Sequence, residues 1–354
     1  MDSHTHKVRL RGIRAEIARL KADCLIATKP ANVTYLTGFT GDDSWAVVLP
    51  GMVVLVTDSR YTEQAAAQCR FCRIVERKEA MAKAIAELLR NRRGIKTAAV
   101  EKSTSLAVFE SLRKHLPCRL KGAEGIVESA RRKKDNSEVS AIRAAAKIAA
   151  RAFERVLRQV KPGLTENELA GIVDFEIRKA GGNNSFETIV AFGPNASRPH
   201  HQPASRKLRK NDTVLIDFGA RHNGYCCDLT RCFPVGTAGG LYTRVYAVVK
   251  QAHAAALKMV KAGVEISSID AAAKEIIKKA GLPVYGHGTG HGLGLEVHEL
   301  PVVSNRTKGT LRAGDVITIE PAVYIPGRLG VRIEDDILVT NDGGVVLTAT
   351  CPCG

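Results

Sequence analysis

The sequence predicts a two-domain protein of fold class α+β, and three observations lead to this prediction. The chain has 354 residues, more than the ~100–200 residues of one ordinary domain. Short apolar runs alternate with helical patterns over residues 1–130, which is typical of an α/β layer. The remainder, residues 131–354, contains an internal repeat with a spacing of 100 residues.

The first domain is predicted from five apolar runs bounded by turn residues, which indicate strands. These runs occupy residues 24–28, 45–49, 52–57, 72–76 and 97–101. The second and third runs flank a Pro-Gly turn and are expected to form a hairpin. Helical patterns around 80–90 and 106–116 complete an α/β layer domain.

Helix signals mark the entry into the second domain. A basic run at 131–134 has the character of a linker, and Ser137 is the predicted N-cap of a long helix that follows it. A capping box at Thr165 and Glu168 predicts the start of the next helix.

The second domain is predicted to contain two copies of one unit. Lys-Pro-Gly-Leu at 161–164 and Lys-Ala-Gly-Val at 261–264 lie 100 residues apart. A helical stretch follows each of them and ends in Lys-Ala-Gly, at 179–181 and at 279–281. Each copy then runs into strands that carry two acidic residues. Two facing copies would bring four carboxylates to one central cleft.

These acidic residues are unusual because they follow or interrupt apolar strand runs. Asp217 and Asp228 are separated by 11 residues and by a turn signal at 221–224, which predicts paired strands. Glu320 and Glu334 of the second copy also follow or interrupt apolar strand runs. A single buried carboxylate is usually a helix cap or half of an ion pair, because leaving it unpaired is costly. Four of them are better explained as oxygen ligands of one or two divalent cations.

Histidines supply the remaining candidates. His287, His291 and His298 fall within twelve residues of a glycine-rich segment. The glycines exclude a regular helix and therefore a His-Glu-x-x-His zinc protease motif. His200, next to His201, lies in a separate loop. The alternative for any single loop histidine is a solvated side chain.

Composition argues against several other classes of protein. The nine cysteines are predicted to be free thiols, and the local pairs at 69/72 and 351/353 lack the further ligands that structural zinc needs. The net charge of +17 suggests nucleic-acid binding, but the basic residues are dispersed along the chain and aromatic residues make up only 5% of it. We therefore expect no specific nucleic-acid partner. No apolar stretch approaches the ~18–20 residues of a membrane span, and no secretory signal is visible, so a cytoplasmic protein is predicted.

Five candidates stand in a distinctive order along the chain. They are Asp217, Asp228, His291, Glu320 and Glu334. In these contexts the set resembles the creatinase/prolidase/methionine-aminopeptidase family of pita-bread dinuclear metallopeptidases, over about residues 135–340. The preceding α/β domain is similar to the creatinase-like N-terminal domain of the Xaa-Pro branch, which comprises prolidase and aminopeptidase P. The resemblance implies a pita-bread catalytic domain with a pseudo-twofold repeat.

The resemblance also implies a role for each ligand. Asp217 is expected to chelate one metal ion, and Asp228 and Glu334 are expected to bridge two ions. His291 and Glu320 would complete the second site. Two divalent ions per subunit are therefore expected, with manganese as the first choice and cobalt or zinc as alternatives.

Other residues match positions around the metal site of that family. His200, His287 and His298 match histidines that handle substrate and protons, and Tyr324 and Arg332 match substrate-binding positions near the bridging acids.

The implied reaction is hydrolysis of the bond between an N-terminal residue and proline in short peptides. The two ions would activate a water held between them. Glu320 is expected to carry the water's proton to the leaving nitrogen, and His298 or His200 to stabilise the carbonyl oxygen. We also expect a homodimer.

One departure from the prolidase pattern concerns substrate length. Val302 stands four residues after His298, where a prolidase is expected to carry an arginine that binds the dipeptide's carboxylate. The nearest cations are Arg198, Arg306 and Arg332. This departure favours an Xaa-Pro aminopeptidase over a strict Xaa-Pro dipeptidase. A methionine aminopeptidase and a non-enzymatic pita-bread binding protein stay open as further alternatives.

Overall fold

The computed structural model describes residues 3–352, and the chain divides into two compact units, Met1–Arg131 and Arg132–Gly354. Both units mix helices with strands, so the α+β class is confirmed. No helix in the described residues has the length and apolar character needed to cross a membrane.

The first unit is built on one six-stranded sheet. Its strands are β1 (Cys24–Ala27), β2 (Trp45–Val48), β3 (Val53–Thr57), β4 (Arg73–Glu76), β5 (Thr97–Glu101) and β6 (Arg119–Ala123). Its helices are α1 (Ser3–Arg19), α2 (Pro30–Thr37), α3 (Thr62–Gln68), α4 (Met81–Arg90), α5 (Leu106–His115) and α6 (Ile126–Arg132). The sheet order is β4-β3-β2-β1-β5-β6, with β2 and β3 as an antiparallel hairpin and β1 parallel to β5. Every residue of β1 is buried, as expected for a central strand.

The five predicted strands, the hairpin and the two predicted helices of this unit are confirmed. Strand β6 and the helices α1, α2, α3 and α6 were not predicted from the sequence. The edge strand β6 has three exposed residues out of five, so it lacks an apolar pattern. Helix α1 does carry a detectable signal, because Leu10, Ile13 and Ile17 are buried at helical spacing.

The second unit contains four long helices and four small sheets. The helices are α7 (Asn136–Leu157), α8 (Glu166–Lys179), α9 (Gly240–Met259) and α10 (Ile266–Lys279). Strands of the first half are β7 (Asn183–Asn184), β8 (Ile189–Phe192), β9 (Thr213–Phe218), β10 (Ala220–His222), β11 (Tyr225–Cys226) and β12 (Leu229–Pro234). Strands of the second half are β13 (Gly290–Gly292), β14 (Glu299–Val303), β15 (Val316–Ile319), β16 (Ala322–Ile325), β17 (Leu329–Arg332), β18 (Asp335–Val339) and β19 (Gly344–Val346). The sheets have the orders β12-β9-β8, β11-β10-β7, β14-β13-β15-β18-β19 and β16-β17.

The predicted repeat is confirmed at the level of single hydrogen bonds. Gly163 donates its N–H to Leu208 O, and Gly263 donates to Leu311 O, both at 2.9 Å. The two glycines adopt left-handed φ angles of 99° and 87°, which explains why both copies need glycine there. The loops that join α7 to α8 and α9 to α10 are therefore equivalent, and each is hydrogen-bonded to the segment that precedes a strand, β9 or β15.

The start of α7 corrects one prediction. The N-cap is Asp135, not Ser137, because the Asp135 carboxylate accepts the N–H groups of Ser137 at 2.8 Å and Glu138 at 3.0 Å. Glu138 accepts the Asp135 N–H in return, which completes a capping box. The predicted capping box of Thr165 and Glu168 is confirmed.

Replacing Asp135 with alanine should lower the free energy of unfolding by about 1 kcal/mol, because two helix N–H groups lose their acceptor. Ser137→Ala is the matched control and should change it by less than about 0.5 kcal/mol. Urea denaturation followed by circular dichroism measures both. Equal losses in the two variants would contradict the assignment of the cap.

Candidate metal centre

Two of the predicted ligands lie on neighbouring strands of the first half. Strands β9 and β12 pair antiparallel, with Asp217 directly opposite Thr230, and Asp228 immediately precedes β12. The chain reverses at Asn223 and Gly224, whose φ angles of 49° and 84° suit a tight hairpin turn. The hairpin predicted from the turn signal is therefore present.

The other predicted ligands come from the second half. Glu320 follows β15, Glu334 lies between β17 and β18, and His291 is the middle residue of β13. Strands β13 and β15 approach closely at Gly290, where a Cβ atom would lie 1.9 Å from the Thr318 carbonyl oxygen. A side chain at position 290 would therefore clash with β15, so glycine is needed there. The close approach of the two strands places His291 beside the acids.

The two halves deliver these side chains to one cluster. Ligand atoms of Asp228, His291 and Glu334 all lie within 4.8 Å of one another. His291 Nε2 lies 3.6 Å from Asp228 Oδ2 and 3.6 Å from Glu320 Oε1. Within residues 3–352, no other three side chains of His, Cys, Asp or Glu have ligand atoms that all lie within 4.8 Å of one another.

The cluster fits a divalent cation. Oxygens Asp217 Oδ1 and Asp228 Oδ1 are buried and have no hydrogen-bond partner within the described part of the chain. Buried polar atoms are rarely left unsatisfied, so these oxygens are suited to ligate an ion. Carboxylates with a single imidazole form a donor set that hard or borderline divalent metals accept.

Electrostatics at the cluster favour the same interpretation. Burial raises the pKa of Asp228, Glu320 and Glu334. Repulsion by Glu334 raises the pKa of Asp228 further, and repulsion by Glu320 raises that of Glu334. Burial lowers the pKa of His291, which keeps the imidazole neutral and its lone pair available to a metal.

Arg332 connects the acids of the two halves. Its guanidinium donates to Asp217 Oδ2 at 2.6 Å, to Thr230 Oγ1 at 2.9 Å and to the Tyr324 hydroxyl at 2.7 Å. Thr230 in turn donates its hydroxyl proton to Glu334 Oε2 at 2.6 Å. Sequence reasoning missed Thr230. The detectable signal was its position two residues after a candidate ligand, which places both side chains on one face of the strand.

Two of the predicted histidines contact the cluster. His287 Nδ1 lies 3.9 Å from Glu320 Oε2, and its Nε2 hydrogen-bonds the Tyr324 hydroxyl at 3.2 Å. The exposed His298 packs its ring against that of His291, with centroids 4.4 Å apart. Burial lowers the pKa of both His287 and His298.

The third predicted histidine, His200, is exposed in a loop that a buried carboxylate organises. Glu166, which is fully buried, pairs with the neighbouring His201 at 2.8 Å. It also accepts the N–H groups of Phe192 at 2.8 Å and Ala204 at 3.1 Å. Sequence reasoning missed Glu166, because a glutamate in the first turn of a helix is an ordinary finding.

The cysteine pairs form no metal site in the described residues. Cys69, Cys72 and Cys351 are free thiols, as predicted, and Cys353 lies outside the described residues.

The affinity of the cluster for a divalent cation should rise with pH. Raised pKa values mean that protons occupy these carboxylates at a pH where free carboxylates would be ionised. A metal ion must displace those protons, so binding should release protons and weaken as the pH falls. Isothermal titration calorimetry with Mn²⁺ between about pH 6 and about pH 8, in buffers of different ionisation enthalpy, measures this. Affinity that does not change with pH would contradict it.

Known proteins share this arrangement of domains. The model described as "Metallopeptidase family M24" matches residues 140–341, and that of the "Creatinase/Prolidase N-terminal domain" matches residues 9–133. The uncharacterized peptidase YqhT of Bacillus subtilis is 36% identical over 345 residues, which are 96% of this chain and 98% of the relative.

Solved structures agree with these matches. A structure described as an Xaa-Pro dipeptidase from Bacillus anthracis is 32% identical, with a TM-score of 0.94 and 97% of each chain covered. A structure described as an X-Pro aminopeptidase from Thermotoga maritima is 34% identical, with a TM-score of 0.89, and the match covers 96% of this chain and 99% of that one. The predicted fold, a creatinase-like domain followed by a pita-bread domain, is confirmed. The chain therefore belongs to metallopeptidase family M24.

Proposed function

We propose that this metallopeptidase is an exopeptidase that removes the N-terminal residue from short peptides with proline in the second position. The observation that carries the proposal is the convergence of acidic side chains and one histidine from both halves of the second unit. The similarity to structures described as an Xaa-Pro dipeptidase and an X-Pro aminopeptidase supports the choice of substrate.

The metal-holding residues in this proposal are the five predicted from the sequence. Asp228 and Glu334 would be shared by two divalent ions, Asp217 would complete one site, and His291 with Glu320 would complete the other. When bound, such ions lower the pKa of a coordinated water and polarise a peptide carbonyl.

Residues around the cluster would carry out the remaining tasks. Glu320 keeps 17% of its side chain exposed, so its carboxylate can accept the proton of an attacking water and deliver it to the proline nitrogen. His298 is exposed beside His291 and can donate a hydrogen bond to the carbonyl oxygen as negative charge develops. Arg332 orients Asp217 and the Tyr324 hydroxyl at the wall of the cleft.

The positions of the arginines favour peptides longer than two residues. A dipeptide ends in a carboxylate directly after proline, and an arginine is the side chain best suited to bind it. Arg332 is already engaged by Asp217, and Arg198 bonds to Asn195. Arg306 is exposed and so remains able to bind a carboxylate, which keeps the strict dipeptidase as the second candidate.

Manganese, a homodimer and a cytoplasmic location complete the proposal. Manganese follows from a ligand set rich in carboxylates. The homodimer comes from the family resemblance, and the cytoplasmic location from the free cysteines. Metal analysis of the purified protein and mass photometry measure the first two.

Replacing Asp228 with alanine should abolish hydrolysis of Ala-Pro peptides and reduce the metal content of the folded protein, because a ligand shared by two ions affects both. His298→Ala should retain the metal and lower kcat about 10²-fold, since it removes one donor to the oxyanion. Inductively coupled plasma mass spectrometry gives the metal content. Two ions retained in Asp228→Ala would contradict the bridging role.

The manganese-loaded protein should cleave Ala-Pro-Ala with a kcat/KM at least equal to that for Ala-Pro, because no carboxylate needs to be bound beyond proline. Steady-state release of alanine measures both. A strong preference for the dipeptide would contradict this and would identify the strict dipeptidase, with Arg198 or Arg306 as the residue that binds the carboxylate. Faster cleavage of Met-Ala than of Ala-Pro peptides would identify a methionine aminopeptidase.

A further inference from the structure

Strand β14 carries two exposed apolar side chains on one face. Leu300 is 43% exposed and Val302 is 46% exposed, whereas Pro301 and Val303 are buried. The pairing of β14 with β13 is irregular between Val302 and Glu299, but exposure and burial alternate from Leu300 to Val303, which places the two exposed side chains on the same, exposed face. We call these two side chains the β14 shelf.

The β14 shelf lies on the same side of the sheet as the candidate metal ligand. Val302 is directly opposite His291 in the antiparallel pairing of β13 and β14. Side chains of directly opposed residues share one face, with Cβ atoms ~4.5–5.5 Å apart. His298, one residue before β14, packs its ring on His291. Val302, one of the two residues of the shelf, therefore lies next to the metal cluster.

Strand β14 is also an edge of its sheet. It occupies the first position in the order β14-β13-β15-β18-β19, so its backbone is paired on one side, with β13, within the described strands. An unpaired strand edge can hold an extended peptide through main-chain hydrogen bonds, with alternate side chains selected by the adjoining surface.

The occupant that fits this position is the part of a peptide that follows proline. A peptide whose first bond is at the cluster continues outward by ~3.3–3.6 Å per extended residue. The residue after proline is thus roughly 5 Å from the cleaved bond, which is comparable to the ~4.5–5.5 Å between the Cβ atoms of directly opposed residues such as His291 and Val302. Two aliphatic side chains offer neither a cation nor a hydrogen-bond donor, so they would favour an apolar side chain.

We propose that Leu300 and Val302 form a subsite for an apolar side chain on the residue after proline. The substrate class is then Xaa-Pro-Yaa peptides in which Yaa is aliphatic. This inference rests on the proposed function, because it assumes that Xaa-Pro bonds are cleaved at the cluster.

The experiment compares kcat/KM for Ala-Pro-Leu and Ala-Pro-Asn, two peptides whose third side chains have similar size and different polarity. The protein should prefer leucine by about tenfold. Val302→Asn should reduce the ratio of the two kcat/KM values to near one. The ratio is independent of the fraction of active or metal-loaded protein, so partial misfolding of the variant does not affect it.

Val345→Asn is the matched control. Val345 is 38% exposed on β19, the opposite edge of the same sheet, and its replacement should leave the ratio at the wild-type value. A second copy of this chain could also pair with the edge of β14. Size-exclusion chromatography of both variants tests this alternative by measuring their oligomeric state.

Three results would overturn the inference alone: a wild-type ratio near one, a ratio unchanged by Val302→Asn, or a change of oligomeric state specific to Val302→Asn. The last result would mean that a second copy covers β14. Absence of cleavage of every Xaa-Pro peptide would be a different result, because it would overturn the proposed function and the subsite together.

Discussion

The second unit is organised around the burial of like charges. Asp228 and Glu334 are almost fully buried, and their ligand oxygens lie within 4.8 Å of each other and of His291. Burial raises the pKa of both carboxylates, and repulsion by their acidic neighbours raises it further, because full ionisation would place an excess of negative charge in a region that water enters poorly. One guanidinium, that of Arg332, offsets part of it. A divalent cation that displaced the protons would compensate the rest, and the donor set favours such an ion.

The internal repeat makes such a cluster attainable. Equivalent loops at Gly163 and Gly263 join the two helices of each pair and bond to the segments before β9 and β15, and each half contributes two carboxylates. The halves are held in register at the centre by polar contacts. Thr230 of the first half donates to Glu334 of the second, and Arg332 of the second donates to Asp217 of the first. The interaction that fixes the ligands is thus the same one that joins the halves.

The family match and the cluster account for a metallopeptidase but not for its substrate preference. The chain is similar both to a structure described as an Xaa-Pro dipeptidase and to one described as an X-Pro aminopeptidase. In our proposal the surface that sets this preference is the exposed face of β14, where Val302 lies opposite His291. An aliphatic side chain there cannot bind a carboxylate, and this single position changes which peptides are expected to fit.

Several local structures and the need for a metal could be predicted from the amino-acid sequence. Glycine and turn signals identified the hairpin between Asp217 and Asp228, and the repeat of Lys-x-Gly loops identified the two halves. Acids in apolar strands pointed to a metal, because such residues have few other stable environments.

The contacts between particular side chains became evident from the three-dimensional structure. It showed that Asp135 rather than Ser137 caps α7, that Thr230 joins Arg332 to Glu334, and that Val302 faces His291. The Asp135 cap is a local motif, but the contacts of Thr230 with Arg332 and Glu334 join residues 102 and 104 positions apart, and the pairing of Val302 with His291 depends on strand register. Neither of the latter is encoded in a local pattern.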